Sequence, residues 1–216
     1  MNIYNVIILD ESGSMSSIYE QTISSVNEVL MGIRGTQKAH PNQHHYVSIV
    51  TFEGYGLAGV KLRRDRVAIE KIANFERADY SPNGSTPLYD AMGQTLKNLE
   101  GQIHREDRVM VTVITDGNEN ASEEYSGKAI KSLVGRLREK GWAIAYIGAN
   151  QDAVEVAREL NISQALNFEA TPEGVYQMSV HFRKAGELFA AYCADVEPEK
   201  MKETLNGIDL FKEDSF

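Results

Sequence analysis

Short apolar runs alternate along this chain with longer stretches in which apolar residues recur at helical spacing. Ile3 to Leu9 predicts a strand, and its nearly unbroken apolar character predicts burial on both faces. A helix is expected over Ile18 to Ile33, with Ile18, Val26, Leu30 and Ile33 near one face and Gly35 close to its end. Tyr46 to Phe52 reads as a second strand and Leu57 to Leu62 as a third. The link between them, through Gly54 and Gly56, is too short for a helical crossover, so this pair is expected to be antiparallel. Leu88 to Leu99 then predicts a helix, Val109 to Ile114 a strand, and Gly127 to Lys140 a helix stopped by Gly141. Trp142 to Ile147 is the next strand, Ala153 to Leu160 a short helix and Ala165 to Phe168 an edge strand. Thr171 caps a long last helix with Pro172 at its first position, striped by Val175, Met178, Phe182, Ala185, Phe189 and Tyr192. Arg66 to Tyr80 is the least legible stretch of the chain.

Strands alternating with helices imply an α/β architecture. The expected fold is a Rossmann-like, doubly wound and mostly parallel six-stranded sheet with one antiparallel edge strand and helices on both faces. One domain is expected over residues 1–194, with 195–216 a charged tail, docked or partly mobile.

Composition narrows the function more than the fold. Acidic residues outnumber basic ones by 31 to 22, for a net charge of −9, and no basic stripe is present, which argues against a nucleic-acid partner. Lys61-Leu62-Arg63-Arg64 is the densest basic spot and is expected to be a solvated strand end. Cys193 is the only cysteine, so neither an intrachain disulfide nor a thiolate metal cluster can form. No apolar run reaches membrane-spanning length, and the first residues lack a charged n-region and a cleavage site, so a soluble, cytoplasmic setting is expected. The expected oligomeric state is a monomer or weak oligomer.

The chemistry gathers in three places. Asp10-Glu11-Ser12-Gly13-Ser14 follows the first strand, Asn83-Gly84-Ser85-Thr86-Pro87-Leu88 precedes a helix, and Thr115-Asp116-Gly117 ends a strand. Alone, each has a commonplace reading. Asp and Ser satisfy backbone N–H groups in turns and helix caps, Thr-Pro is an ordinary helix start, and Thr-Asp-Gly is an ordinary turn. Together they supply hydroxyl and carboxylate oxygens at the ligand-binding ends of strands, which suits a hard cation such as Mg²⁺.

A hydrophobic strand running into Asp-x-Ser-x-Ser, then Gly-x-Thr-Pro-Leu, then Thr-Asp-Gly resembles the von Willebrand factor A domain and its metal-ion-dependent adhesion site. The likeness runs from residue 3 to about 194. It implies that Ser12 and Ser14 ligate the metal directly. Thr86 does so directly or through water, and Asp10 and Asp116 hold metal-bound waters and orient the serines. Mg²⁺ is the implied cofactor, with Mn²⁺ or Ca²⁺ in its place. Hydroxyl ligands leave the cation's field largely uncompensated, so the expected partner is a protein supplying an Asp or Glu carboxylate to the open position. Tyr80-x-Pro82-x-Gly84-x-Thr86-Pro87-Leu88-Tyr89-Asp90-Ala91 and Ile147-Gly148-Ala149-Asn150-Gln151-Asp152-Ala153 are similar to the compact bacterial or phage type associated with tellurium resistance.

The other function classes each lack a part. A dehalogenase-like phosphotransferase needs a second acid where Ser12 stands, and no histidine lies near the motifs to activate a serine. A dinucleotide turn needs more glycines than Gly13 alone. A non-enzymatic interaction module is therefore expected, with an adaptor role for a separate AAA+ ATPase or metal-chelatase assembly as the alternative. Glu11 projects toward a partner or is a solvated loop carboxylate. Glu119, Asn120, Glu123 and Glu124 line the rim or form a solvated face and acidic first helical turn. Tyr80 and Pro82 shape the Thr86 loop or add ligand surface, and Trp142 is expected in the core. His40, His44 and His45 invite zinc, but their spacing fits no good ligand pattern and their loop is expected at the far end of the sheet.

Overall fold

A computed structural model describes residues 1–149 and 153–212. The strands are β1 (Asn2–Asp10), β2 (His44–Phe52), β3 (Val60–Ala68), β4 (Arg108–Thr115), β5 (Ala143–Ala149) and β6 (Gln164–Phe168). They form one six-stranded sheet in the order β3-β2-β1-β4-β5-β6, parallel throughout except for β3 against β2. The helices are α1 (Tyr19–Ala39), α2 (Leu88–Glu100), α3 (Gly127–Glu139), α4 (Ala153–Glu159), α5 (Pro172–Asp195) and α6 (Met201–Gly207). Alternation along β1 feeds two cores. Ile3, Ile7 and Leu9 pack with α1 and α5, whereas Val6 and Ile8 pack with α2 and α3 on the other face. Every residue of β4 is buried, as a central strand covered on both sides requires. Trp142 is buried beside α3, as expected, and Thr171 accepts from the Gly174 N–H to cap α5, with Pro172 at its first position.

Several element bounds differ from expectation, two of them by more than a residue or two at an end. A two-turn 3-10 helix occupies Gly13–Ile18, and α1 continues past Gly35 to Ala39. A glycine inside a helix costs about 1 kcal/mol, which the packing of α1 along α5 overrides. The third strand begins at Val60, because Leu57–Gly59 forms a 3-10 turn, and it runs on to Ala68 through residues that showed no period. An edge strand has one neighbour and tolerates charge, so neither alternation nor an apolar run announces it. The Lys61 to Arg64 run is therefore mid-strand, not a solvated end. Beyond it Ile69, Ile72, Phe75 and Tyr80 are buried at irregular intervals along a loop.

In the tail, Met201, Leu205, Leu210 and Phe211 join the α1/α5 core, and the Leu210 N–H donates to Gln164 Oε1 at 2.7 Å. Among the described residues no helix is long and apolar enough to cross a membrane. Asn150, Gln151 and Asp152 of the second similarity motif, and tail residues 213–216, lie outside the described residues.

His44 pairs with Asn2 at the start of the parallel strands, which puts the histidine loop at the end opposite Asp10. No group of three or more His, Cys, Asp or Glu that could hold a metal exists among the described residues. His45 is buried between Asn5 and Gln43, its Nε2 3.1 Å from Gln43 Oε1, and burial pushes its pKa down from 6.5 to about 4. Between those values the unfolded chain binds more protons than the folded one, so stability falls as pH falls through the window. The loss from this group is expected to reach roughly 3 kcal/mol at the acid end. Urea unfolding at both ends of the window should show a shallower pH slope for His45→Gln than for the wild type. Parallel slopes would contradict the assignment.

Candidate metal centre

Asp10 ends β1, whose neighbours β2 and β4 are reached in opposite directions across the sheet. This is the topological switch point, where a crevice opens outside the carboxyl ends of the strands. Three loops meet there: 10–14 after β1, 81–86 before α2 and 115–120 after β4.

The five predicted residues are brought together. Asp10 is fully buried, and its carboxylate accepts the Ser12 N–H on Oδ1 at 2.7 Å and the Thr115 hydroxyl on Oδ2 at 2.5 Å. Ser12 Oγ lies 3.2 Å from Ser14 Oγ, and Ser14 donates to Asp116 Oδ1 at 2.6 Å. The Ser12 side chain makes no cap bond to the helical turn that follows it. Thr86 is not used as a cap either. The Tyr89 and Asp90 N–H groups at the start of α2 donate instead to Glu119 Oε2 at 2.9 Å and Ser122 Oγ at 3.0 Å. Of the commonplace readings, two are present: the Asp10 turn to Ser12, and the Thr115-Asp116-Gly117 turn, in which Thr115 Oγ1 accepts the Gly117 N–H at 3.1 Å.

No basic side chain pairs with Asp10 or Asp116 among the described residues. Burial, reinforced by the charge of Asp116, raises the Asp10 pKa to about 6 against hydrogen bonds that lower it. Burial also raises Asp116, opposed by its bond from Ser14. Two carboxylates without a counter-ion in a shared crevice form an anionic pocket that a cation would relieve.

The surroundings of this set were largely missed by sequence reasoning. Glu11 neither projects outward nor is solvated. It is fully buried, its two oxygens accept from Arg63 Nη2 at 3.0 and 2.9 Å, and Oε1 also accepts the Ser81 N–H at 2.5 Å. Arg63 is held in turn by Thr51 Oγ1 at 2.9 Å, so the edge strand braces the Asp10–Ser14 loop. Asn83 N–H to the Glu11 carbonyl (2.8 Å) and Gly13 N–H to the Gly84 carbonyl (3.1 Å) complete the stitching of the first two loops. Tyr80, buried rather than a ligand surface, donates its hydroxyl to the Asp10 carbonyl at 2.8 Å. The third loop is tied in by Asn120, whose Oδ1 accepts the Thr86 N–H at 2.8 Å. Glu119 is no solvated helical acid, since its Oε1 accepts the Ala121 and Ser122 N–H groups at 2.8 and 2.7 Å. Asp90, also unforeseen, is buried and accepts the N–H groups of Glu123, Glu124 and Tyr125 at 2.8 to 3.0 Å. An acidic residue in a first helical turn was the one available signal.

Gly117 tests whether an ion fits. A Cβ added there would lie 3.2 Å from Thr86 Oγ1, 3.7 Å from Asp10 Oδ2 and 3.8 Å from Ser14 Oγ. Two hydroxyls and a carboxylate oxygen are thus the atoms nearest a space that a methyl group would enter. Such a donor set suits Mg²⁺, Mn²⁺ or Ca²⁺ and not a thiophilic metal. Gly117→Ala is expected to weaken Mg²⁺ binding roughly tenfold or more while leaving the metal-free melting temperature near wild type. Unchanged affinity in a calorimetric titration would show that the space is not the metal's.

A doubly wound α/β sheet with these oxygens at its switch point places the chain in the open-sheet α/β class, in which ligand sites lie at that point. The family model for the von Willebrand factor type A domain matches residues 6–179, and the chain belongs to that family. Among solved structures, the mussel byssus proximal thread matrix protein 1 is similar at 15% identity and a TM-score of 0.58, over 88% of this chain and 46% of that one. A D319A mutant of the PilB minor pilin from Streptococcus sanguinis is similar at 13% identity and a TM-score of 0.62, over 92% of this chain and 64% of that one. The von Willebrand factor type A protein from Catenulispora acidiphila matches at 15% identity and a TM-score of 0.59, over 87% and 42%. This chain thus spans less than two thirds of each of those proteins, and at such identities the likeness is one of fold. A search of curated proteins gave no match.

Proposed function

We propose that the chain is a divalent-metal-dependent protein-interaction module with no catalytic role of its own. Domains of this family generally mediate protein–protein contacts. The observation that carries the metal dependence is the convergence of Ser14, Thr86 and Asp10 oxygens on the space beside Gly117. Ser12, Ser14 and Thr86 would hold Mg²⁺, or Mn²⁺ or Ca²⁺, with Asp10 and Asp116 orienting the serines and balancing charge. When bound, the cation supplies an electrophilic position for one anionic oxygen, here an Asp or Glu carboxylate of a partner protein. The protein's own residues then do two things. Asp10 and Asp116 fix the hydroxyl directions, and the stitched loops keep the site rigid, so that little ordering entropy is lost on binding. The similarity to the compact bacterial or phage proteins associated with tellurium resistance belongs to this same proposal.

A pull-down from lysate, run in parallel with Mg²⁺ and with chelator and compared protein by protein, tests it. At least one partner should be retained only with Mg²⁺ and lost with Asp10→Ala. Identical retention under all three conditions would overturn metal-dependent binding.

A further inference from the structure

Two features at the rim of the oxygen set play no part in holding it. The first is Tyr55, whose side chain is 67% exposed. Because β2 runs parallel to β1 with Phe52 opposite Asp10, the 53–59 loop leaves the sheet at the same end as the oxygens. That loop is anchored. Gly56 N–H donates to the Ala121 carbonyl at 3.0 Å, and Glu53 N–H to the Gly59 carbonyl at 3.1 Å. Gly84, on the loop that delivers Thr86, has φ +67° and approaches so closely that a Cβ on it would lie 3.0 Å from Gly54 N. Tyr55 is therefore a large ring held in water, one residue from the Thr86 loop, on a backbone fixed to both neighbouring loops. An exposed aromatic on a rigid loop contributes contact area at low entropic cost.

The second feature is charge. Between Asp116 and Ser126 the chain carries Glu119, Glu123 and Glu124 and no Lys or Arg. Glu119 is committed to backbone N–H groups, whereas Glu123 and Glu124 are exposed and make no ion pair among the described residues. Glu123 reaches to the Tyr55 loop, since a Cβ on Gly56 would lie 2.6 Å from its Oε2. Three bases of the neighbouring edge strand are already paired: Lys61 with Glu53, Arg63 with Glu11 and Arg64 with Asp79. A partner's carboxylate drawn to the cation thus arrives inside an acidic rim.

We infer that this face selects a protein segment in which one Asp or Glu is flanked by arginine or lysine. The acid goes to the cation, and a flanking base goes over the Tyr55 ring and against Glu123. The inference rests on the metal reading and adds the partner's chemistry. A guanidinium gains a cation–π contact on the ring and an ion pair at the rim, whereas a second acid is repelled. Complementarity of this kind sets specificity and the rate of encounter more than raw affinity.

The test uses short synthetic peptides with one central Asp flanked by arginines, serines or glutamates, and an arginine-flanked Asn control. Binding to the full chain is read by fluorescence anisotropy with Mg²⁺ and with chelator. The arginine-flanked Asp peptide is expected to bind only with Mg²⁺, roughly tenfold more tightly than the glutamate-flanked one, with a preference that shrinks as salt rises. Glu123→Lys with Glu124→Lys should abolish or reverse the ranking, and Tyr55→Ala should weaken the arginine-flanked peptide roughly fivefold. Both variants should bind Mg²⁺ like the wild type in calorimetry. If the wild type takes up no Mg²⁺, the metal reading fails and the inference with it. If Mg²⁺ binds but arginine flanks give no advantage, or the ranking survives charge reversal, the inference alone is overturned.

Discussion

Asp10→Asn is expected to abolish magnesium binding and, in chelator-treated protein, to raise the melting temperature. The two effects share one cause. The Asp10 carboxylate is buried, shares its crevice with Asp116, and has its pKa raised to about 6 from 3.8. Between those values the folded protein holds a proton that the unfolded chain has lost, so stability falls as pH rises through the window, and the loss is complete above it. At neutral pH the charge then costs the metal-free protein roughly 3 kcal/mol. Asparagine keeps the shape and an acceptor for the Ser12 N–H while removing that cost. In a chain of this size about 2–4 °C accompanies each kcal/mol, so the midpoint should rise by about 6–12 °C in a thermal melt. Magnesium should stabilise the wild type and leave the variant unchanged. A variant that melts below the wild type in chelator would contradict this electrostatic account.

Arg63→Met carries the opposite sign. Glu11 is fully buried, and Arg63 is the only base that pairs with it among the described residues. Removing one partner of a buried pair leaves an uncompensated charge, which costs about 3 kcal/mol or more. The corresponding fall in melting temperature is about 6–12 °C. Adding Glu11→Gln should recover most of it, because the amide retains an acceptor for the Ser81 N–H. Since that bond helps to hang the Thr86 loop from the serine loop, Arg63→Met should also weaken magnesium binding. Arg64→Met supplies the comparison. It breaks the Asp79 pair on the same strand, away from the oxygens, and should leave magnesium affinity intact. Melting of Arg63→Met at the wild-type temperature would show that the pair contributes nothing.

The contrast between Asp10 and Glu11 marks where sequence reasoning stops. Asp10, Ser12, Ser14, Thr86 and Asp116 are legible because each stands at the end of a strand or the start of a helix that local pattern already predicts. Convergence on one crevice then follows from topology. Glu11 is next to Asp10, yet its environment is set by Arg63, 52 residues away on an edge strand without a hydrophobic signature. Asp90, Glu119 and Asn120 escape for the same reason. They are side chains that satisfy backbone N–H groups of distant loops, and no period in the chain records such a contact. The length of α1 was hidden by a glycine whose local cost tertiary packing outweighs. In the core, by contrast, β4 and β5 read directly as apolar runs because both their faces are covered.

The central claim is that these oxygens hold a divalent cation, and calorimetric titration of Mg²⁺ into the chelator-stripped wild type and into Asp10→Ala tests it most directly. The account predicts saturable binding at one site in the wild type and none in the variant. Indistinguishable titrations for the two proteins would contradict it.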